Sequence, residues 1–272
     1  IEALPLFNKA VLLFKKDGSL EISRAGLRSG LSIRLKGKPI VELPSKGYNS
    51  NDARGLRYYD LLYKKSFIPA KGRKLYRFVG NKIIDVVSGV EKSEVLPVGL
   101  VVSAPEKMDM AGWKIGAKAS FELPGYEDVQ HAIEAGPMLM EKGKIDLRVE
   151  RGGWKTKHSI ATQAARVDYT DMRGPKLGVG LSADNRLVAV AINGRIRESV
   201  GATLLDLANI LKARGVVEAM GFDPGGSVTL VADNEQLNIS PYNKDYEKNI
   251  YTKPPEPRFV GNAVLGLLKG KR

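Results

Sequence analysis

The sequence predicts an α+β fold, a mixed and largely antiparallel β-sheet core with flanking helices, and three observations carry that prediction. Short apolar runs separated by turn residues recur along the chain, the pattern of paired strands. Two segments break this rhythm with helical spacing. Between Leu187 and Phe222 a strand, a capped helix and a second strand follow one another as a β-α-β unit.

The strands come first. Ala10–Phe14 and Leu20–Ile22 flank Lys-Lys-Asp17-Gly18-Ser, a hairpin with an Asp-Gly turn. Pro137–Met140 and Ile145–Leu147 flank a turn at Gly143, and Leu177–Leu181 and Arg186–Ile192 flank one at Asp184-Asn185. In the first hundred residues Lys74–Val79 is a further strand, Tyr58, Tyr59 and Tyr63 alternate imperfectly with polar residues, and Gly47–Gly55 is a loop by composition. The first helix begins at Thr203, with Asp206 three residues on as a capping box, Leu204, Leu207, Ala208 and Leu211 on one face, and Gly215 as its stop. The second is expected over Pro124–Ala135, with Glu127 and Asp128 in its first turn, Val129, Ala132 and Ile133 inward, and Gly136-Pro137 ending it. Residues 1–46 are expected as a strand-rich segment and 47–272 as the main domain, or the two as one continuous domain. Arg151–Met172 has little periodicity and reads as a loop over a site or a connection.

Composition narrows the chemistry. The chain has 272 residues, enough for a substantial core, and no cysteine, which removes disulfides, thiolate metal sites and a Cys nucleophile. Its two histidines, His131 and His158, leave little for a zinc site or a Ser-His-Asp triad. The apolar run Ala10–Phe14 is far short of the ~18 residues of a membrane span. The chain starts at Ile1 rather than Met, which is expected of a processed or truncated N-terminus. Net charge is +13, and residues 1–100 hold 19 Lys and Arg against 9 Asp and Glu, an excess that suits a polyanion or simply a solvated basic surface. No nucleic-acid motif accompanies it, so nucleic acid ranks last among partners.

The segment most suited to chemistry is Gly221-Phe-Asp223-Pro-Gly225-Gly226-Ser227, where a strand runs into a Gly-rich turn between a carboxylate and a hydroxyl. Successive glycine amides can converge on an anion, although Asp-Pro-Gly-Gly is also an ordinary β-turn. Around it stand, in order, Ala135-Gly136-Pro137-Met-Leu139, Pro175-Lys176-Leu177-Gly178-Val179-Gly180, Ser199-Val-Gly201-Ala-Thr203, and after it Arg258-Phe-Val260-Gly-Asn262-Ala263. Each motif is loose, but their joint order, from about Gly47 to Leu268, resembles the phosphodiester glycosidase family, whose best-known member uncovers mannose-6-phosphate by removing N-acetylglucosamine. The resemblance implies a bacterial homologue that is secreted or held in the cell envelope. It implies hydrolysis of the sugar–phosphate bond of a glycosyl-1-phosphodiester or a related anionic cell-wall glycan, through an oxocarbenium-like transition state.

Carried onto this chain, the resemblance makes Asp223 the catalytic carboxylate and Lys176 a catalytic cation. Gly225, Gly226, Ser227, Arg258, Asn262 and Ser199 become substrate or phosphate contacts. The chain departs from the family's pattern at Lys176 (Arg in the family), Leu177 (Thr), Gly221 (Asn) and Pro224 (Gly). Lysine lacks arginine's bidentate fork and Pro224 removes a backbone donor. Two alternatives therefore stand beside hydrolysis of a phosphodiester: a catalytically weakened glycan-binding domain, and a hydrolase of another glycosidic bond. Glu134 and Asp184 are weaker candidates for a second carboxylate, more naturally surface residues. Trp113 and Trp154 suit a sugar ring or, more commonly, the core. No cofactor is expected; a divalent metal is left open.

Overall fold

The computed structural model describes residues 4, 9–63, 65–96, 99–152, 154, 169–240 and 259–267. Its strands are β1 (Ala10–Lys15), β2 (Leu20–Arg24), β3 (Leu31–Leu35), β4 (Ile40–Leu43), β5 (Arg57–Tyr59), β6 (Phe67–Pro69), β7 (Arg73–Val79), β8 (Lys82–Val87), β9 (Lys92–Glu94) and β10 (Leu100–Pro105). Then follow β11 (Ala119–Glu122), β12 (Val129–Glu134), β13 (Met138–Glu141), β14 (Lys144–Ile145), β15 (Lys176–Ser182), β16 (Leu187–Ile192), β17 (Val216–Gly221), β18 (Val231–Ala232) and β19 (Glu235–Gln236). Between β16 and β17 lies Leu204–Ala213, the single complete α-helix among the described residues.

The expected α+β class does not form. The chain is 42% strand against 11% helix, and the architecture is nearly all-β. Nor is the sheet mixed: every strand pair among the described residues is antiparallel. The helix expected over Pro124–Ala135 is the main miss. Its C-terminal half is β12, paired with β1 from Val11↔Glu134 to Phe14↔His131. The spacing of Val129, Ala132 and Ile133 suits a helix face, but in the fold Ala132 is exposed and the two others half-buried. The reason lies in β1. Its run Ala10–Leu13 is buried on both faces, so its backbone groups have no access to water, and β2 satisfies only one edge. Leaving the other edge unpaired costs more than the few tenths of a kcal/mol per residue that separate ordinary helix formers.

Local signals fared well. The β1–β2, β13–β14 and β15–β16 hairpins form as expected, the second closing on Lys142 and Gly143, both at positive φ. Thr203 Oγ1 accepts from Asp206 N, and Asp206 Oδ2 accepts from Thr203 N, completing the capping box. Leu204, Leu207, Ala208 and Leu211 are the buried face, as their spacing predicts.

A five-stranded sheet, ordered β14-β13-β17-β15-β16, lies at the centre of the C-terminal part. The helix packs on one face, against Leu139, Met140, Val190 and Ala219. It comes close because β15 reads Lys-Leu-Gly-Val-Gly-Leu-Ser: a β-carbon on Gly178 would stand 2.9 Å from Leu207. The opposite face carries the β12-β1-β2 sheet, through Ala10, Leu12 and Ile22 against Met138, Val179, Leu181 and Met220. The expected β-α-β unit exists with β15 inserted between its strands, so β16 and β17 point the same way without touching as neighbours.

The sheets β5-β10-β7-β8 and β11-β3-β4 enclose a separate core. There Phe78 meets Trp113 and Phe121 edge-on at 5.4 and 5.8 Å, which assigns Trp113 to packing. Tyr58, Tyr59 and Tyr63 are buried with each hydroxyl bonded, to Leu27 O, Ser50 O and Asn51 Oδ1.

Candidate active site

One edge of the five-stranded sheet collects most of the residues singled out from the sequence. Antiparallel register does this: Gly178 pairs with Gly221 and Lys176 with Ile192, so the start of β15 lies beside the ends of β16 and β17. Gly174 bridges Ala202, which brings the helix start to the same edge, and Gly136 N donates to Gly221 O, which brings the start of β13. Missing side chains make the junction dense. Gly201, at φ +97°, would place a β-carbon 2.2 Å from the carbonyl carbon of Gly174.

The Asp223 turn folds into this junction. Phe222 N donates to Leu177 O at 2.8 Å, and Gly225 N to Pro175 O at 3.0 Å. Asp223 itself is exposed, and the Tyr169 hydroxyl donates to its Oδ1 at 2.6 Å. The Tyr169 ring lies against Gly136 and stacks on Trp154 with centroids 4.9 Å apart. On Trp154 lies the Lys9 ammonium, 4.5 Å from the ring centroid. Burial lowers the Lys9 pKa, and nearby Glu134, half-buried at the end of β12, partly opposes that.

The guanidinium at the turn belongs to Arg195. Its Nη1 would lie 3.0 Å from a β-carbon on Gly225, which is at φ +68°, so this close approach depends on glycine. Arg195 takes φ 57° just beyond β16. Asn193 Oδ1 accepts from Ile239 N, and Ser199 Oγ donates to Asn193 O, both at 2.8 Å, which fixes the loop from either side. Arg195 lies outside every motif that the sequence singles out. The available signal was Asn193-Gly194, a turn pair that places the next side chain at the strand end.

Lys176 sits differently from a phosphate clamp. It is 3% exposed and its Nζ donates to Met172 O at 2.9 Å. Ser199 also spends its hydroxyl inside its own loop, and the Gly225 amide is spent on the Pro175 carbonyl before β15. Gly226 and Ser227 are half-buried in a short 3-10 turn. Asn262 is exposed on an irregular stretch, 259–267, and makes no hydrogen bond to the turn among the described residues. Arg258 and His158 lie outside the described residues, as does most of the Arg151–Met172 stretch. Asp184 is at the far edge of the sheet, in the β15–β16 turn, where the Ser182 hydroxyl and Arg186 lower its pKa. His131 is exposed on β12. Two hollows, of about 770 and 650 Å³, also open away from the Asp223 turn, around Glu141 and Arg151. Among the described residues no three His, Asp or Glu side chains gather as a metal would require, and no helix is long and apolar enough to cross a membrane.

The family model described as phosphodiester glycosidase matches residues 35–265. The chain belongs to this family. An SPbeta prophage-derived uncharacterized protein, YomE, of Bacillus subtilis (strain 168) is 27% identical over 89 residues, 32% of this chain and 14% of that protein. A hypothetical protein from Synechocystis overlays with a TM-score of 0.49 at 17% identity, covering 88% of this chain and 44% of that one. A putative exported protein from Burkholderia pseudomallei K96243 gives 0.44 at 16%, covering 87% and 55%. The catalytic domain of zebrafish N-acetylglucosamine-1-phosphodiester alpha-N-acetylglucosaminidase, auto-inhibited by its pro-peptide, gives 0.36 at 15%, covering 96% and 84%. The phosphodiester glycosidase match thus spans most of the chain, whereas the chain spans only a fraction of YomE and about half of the first two solved structures.

Proposed function

We propose that this phosphodiester glycosidase cleaves the sugar–phosphate bond of a glycosyl-1-phosphodiester or a related anionic cell-surface glycan, at the Asp223 turn. One observation carries the reading: the Asp223 carboxylate is held by Tyr169, and the Arg195 guanidinium, reaching in from the loop after β16, packs on Gly225 of the same short turn. A glycosyl phosphodiester needs both. As the C1–O bond breaks, positive charge grows at the sugar carbon and negative charge on the departing phosphate monoester. Asp223 serves the first, or orients the water whose oxygen bonds to C1 and whose proton is released. Arg195 serves the second, with the bidentate grip that Lys176 lacks. Asn262, Arg258, Ser227, Gly226 and Ser199 remain proposed substrate contacts. Lys176 is proposed as a buried charge behind them. Secretion, or retention in the envelope, belongs to the same proposal and rests on the family and the substrate it implies.

The purified protein should release free sugar from a glycosyl-1-phosphodiester. Asp223→Asn and Arg195→Gln should each lower kcat/KM by roughly 10²-fold or more, the scale of a lost transition-state charge contact, with the circular dichroism spectrum unchanged. Equal turnover by wild type and Asp223→Asn removes the carboxylate from the mechanism. A second reading, a glycan-binding domain with weakened catalysis, is favoured by the Gly225 amide and Lys176 ammonium already being bonded to Pro175 O and Met172 O. Ligand binding by wild type without sugar release supports it instead.

A further inference from the structure

A row of lysines crosses the rim of the N-terminal sheets, on a different core from the Asp223 turn. β11 pairs with β3 through Ala119↔Leu35, and one step beyond that register Lys118 faces Lys36. On its other side Lys118 bridges Lys82, the first residue of β8. Two more lysines join the row from adjoining turns. Lys38, in the β3–β4 turn, lays its methylenes along Gly112, and Lys114 follows two residues later in the turn that leads to Lys118. That turn is fixed to β8 by Gly116 N donating to Ile83 O and Ile83 N donating to Ala117 O, at 2.8 and 3.0 Å. All five lysines are exposed. None of the five forms an ion pair with a carboxylate among the described residues, although Arg34 and Glu122 on the same strands pair with each other.

Like charges set directly opposite across strands repel, and a sheet ordinarily avoids them. Here Lys36, Lys118 and Lys82 stand in consecutive opposite positions. An isolated anion neutralises one or two of them. A chain carrying an anion on every repeat neutralises the whole row and releases its own counterions in doing so. We infer that this rim is a docking site for a flexible polymer of phosphodiester-linked units, which it holds while the separate Asp223 site works on the glycan. The choice of a glycan-bearing phosphate polymer rests on the proposed function; the row of charges does not. Lysine suits such a partner because its ammonium is a point charge that accepts phosphates in many orientations. Trp113, the aromatic neighbour of Lys114, is buried in the core rather than open to stack bases, the contact single-stranded nucleic acid would use.

The test is binding of poly(glycerol phosphate) to the intact protein across a salt titration, with Lys82→Gln/Lys118→Gln compared against Lys144→Gln/Lys212→Gln, which removes two exposed lysines elsewhere. The rim variant should lose roughly tenfold in affinity at low salt, and its slope of log affinity against log salt should fall by about 1.5, near the loss of two phosphate contacts. The control pair should change neither. Turnover of a small soluble glycosyl phosphodiester should be equal in both variants and wild type, while sugar release from a polymer of glycosyl-1-phosphate units, which carries the scissile bond on every repeat, should fall only in the rim variant. Equal loss in the control, no loss in the rim variant, or tighter binding to duplex DNA or to vesicles of anionic phospholipid than to the polymer would overturn the inference. If no sugar is released from any substrate while rim-dependent polymer binding persists, the proposed function falls and the docking site stands.

Discussion

Around Phe78, rings from β5, β7, β11 and Trp113 pack among the aliphatic side chains of β3 and β10; around Gly201, the ends of β15, β16 and β17 meet by leaving side chains out. The first region is held by apolar volume, each ring covering the edge of the next, and its polar residues are free to collect charge at the rim. The second is held by backbone hydrogen bonds between segments that touch at their α-carbons, which brings Asp223 and Arg195 together. Packing by rings gives a robust scaffold with an adaptable surface. Packing by glycines sets functional side chains closely and tolerates almost no added atom.

Substitutions can break this contrast. The largest effect is expected at the glycine junction. Gly201→Ala places a methyl inside the Gly174 carbonyl group at a backbone angle unfavourable to alanine, and should cost about 4 kcal/mol or more, or prevent folding. Gly18→Ala is the matched control, at φ +86° with no atom within 4 Å of the new methyl, and should cost about 1 kcal/mol. Urea denaturation of both checks the comparison; equal losses would mean that backbone angle, and not crowding, makes the junction intolerant.

In the ring-packed region Phe78→Ala should cost about 3–5 kcal/mol, and the folded fraction of that variant should keep the binding properties of the rim. Loss of stability below about 1 kcal/mol would show that the two cores do not differ as described.

The smallest effect is at the helix start. Thr203→Ala removes the cap and should cost about 1 kcal/mol near neutral pH. The backbone and side-chain hydrogen bonds of Thr203 hold the Asp206 pKa below its ordinary value. A depressed carboxylate pKa adds stability above the unfolded value, and that contribution is lost as pH falls through the folded one. Thr203→Ala keeps the backbone donor and removes only the side-chain part of this effect, so its deficit measured by denaturation should shrink in part on acidification below about pH 4.

Much of the local structure was legible. The three hairpins and the capped helix follow from turn residues, alternation and a capping box, all of which act within a few residues. The segment Pro124–Ala135 was not, because its three apolar residues fit the helical period, while its pairing as a strand is decided by β1, more than a hundred residues away. The candidate site was legible in part. Asp223 and its glycine turn are marked by local chemistry, but Arg195 is an ordinary arginine in the sequence, and Lys176 reads there as a phosphate contact whereas the fold buries it on the Met172 carbonyl.

Hydrogen bonds within a hairpin and a cap between residues 203 and 206 depend on neighbours in the chain, so the chain alone determined them, along with the order of motifs that marks the family. Which strands share an edge, which guanidinium reaches the turn and which lysines line up at the rim depend on register between distant segments. Register is settled by burying both faces of strands such as β1 and by the closeness glycine permits, and those demands exist only once the sheets have met.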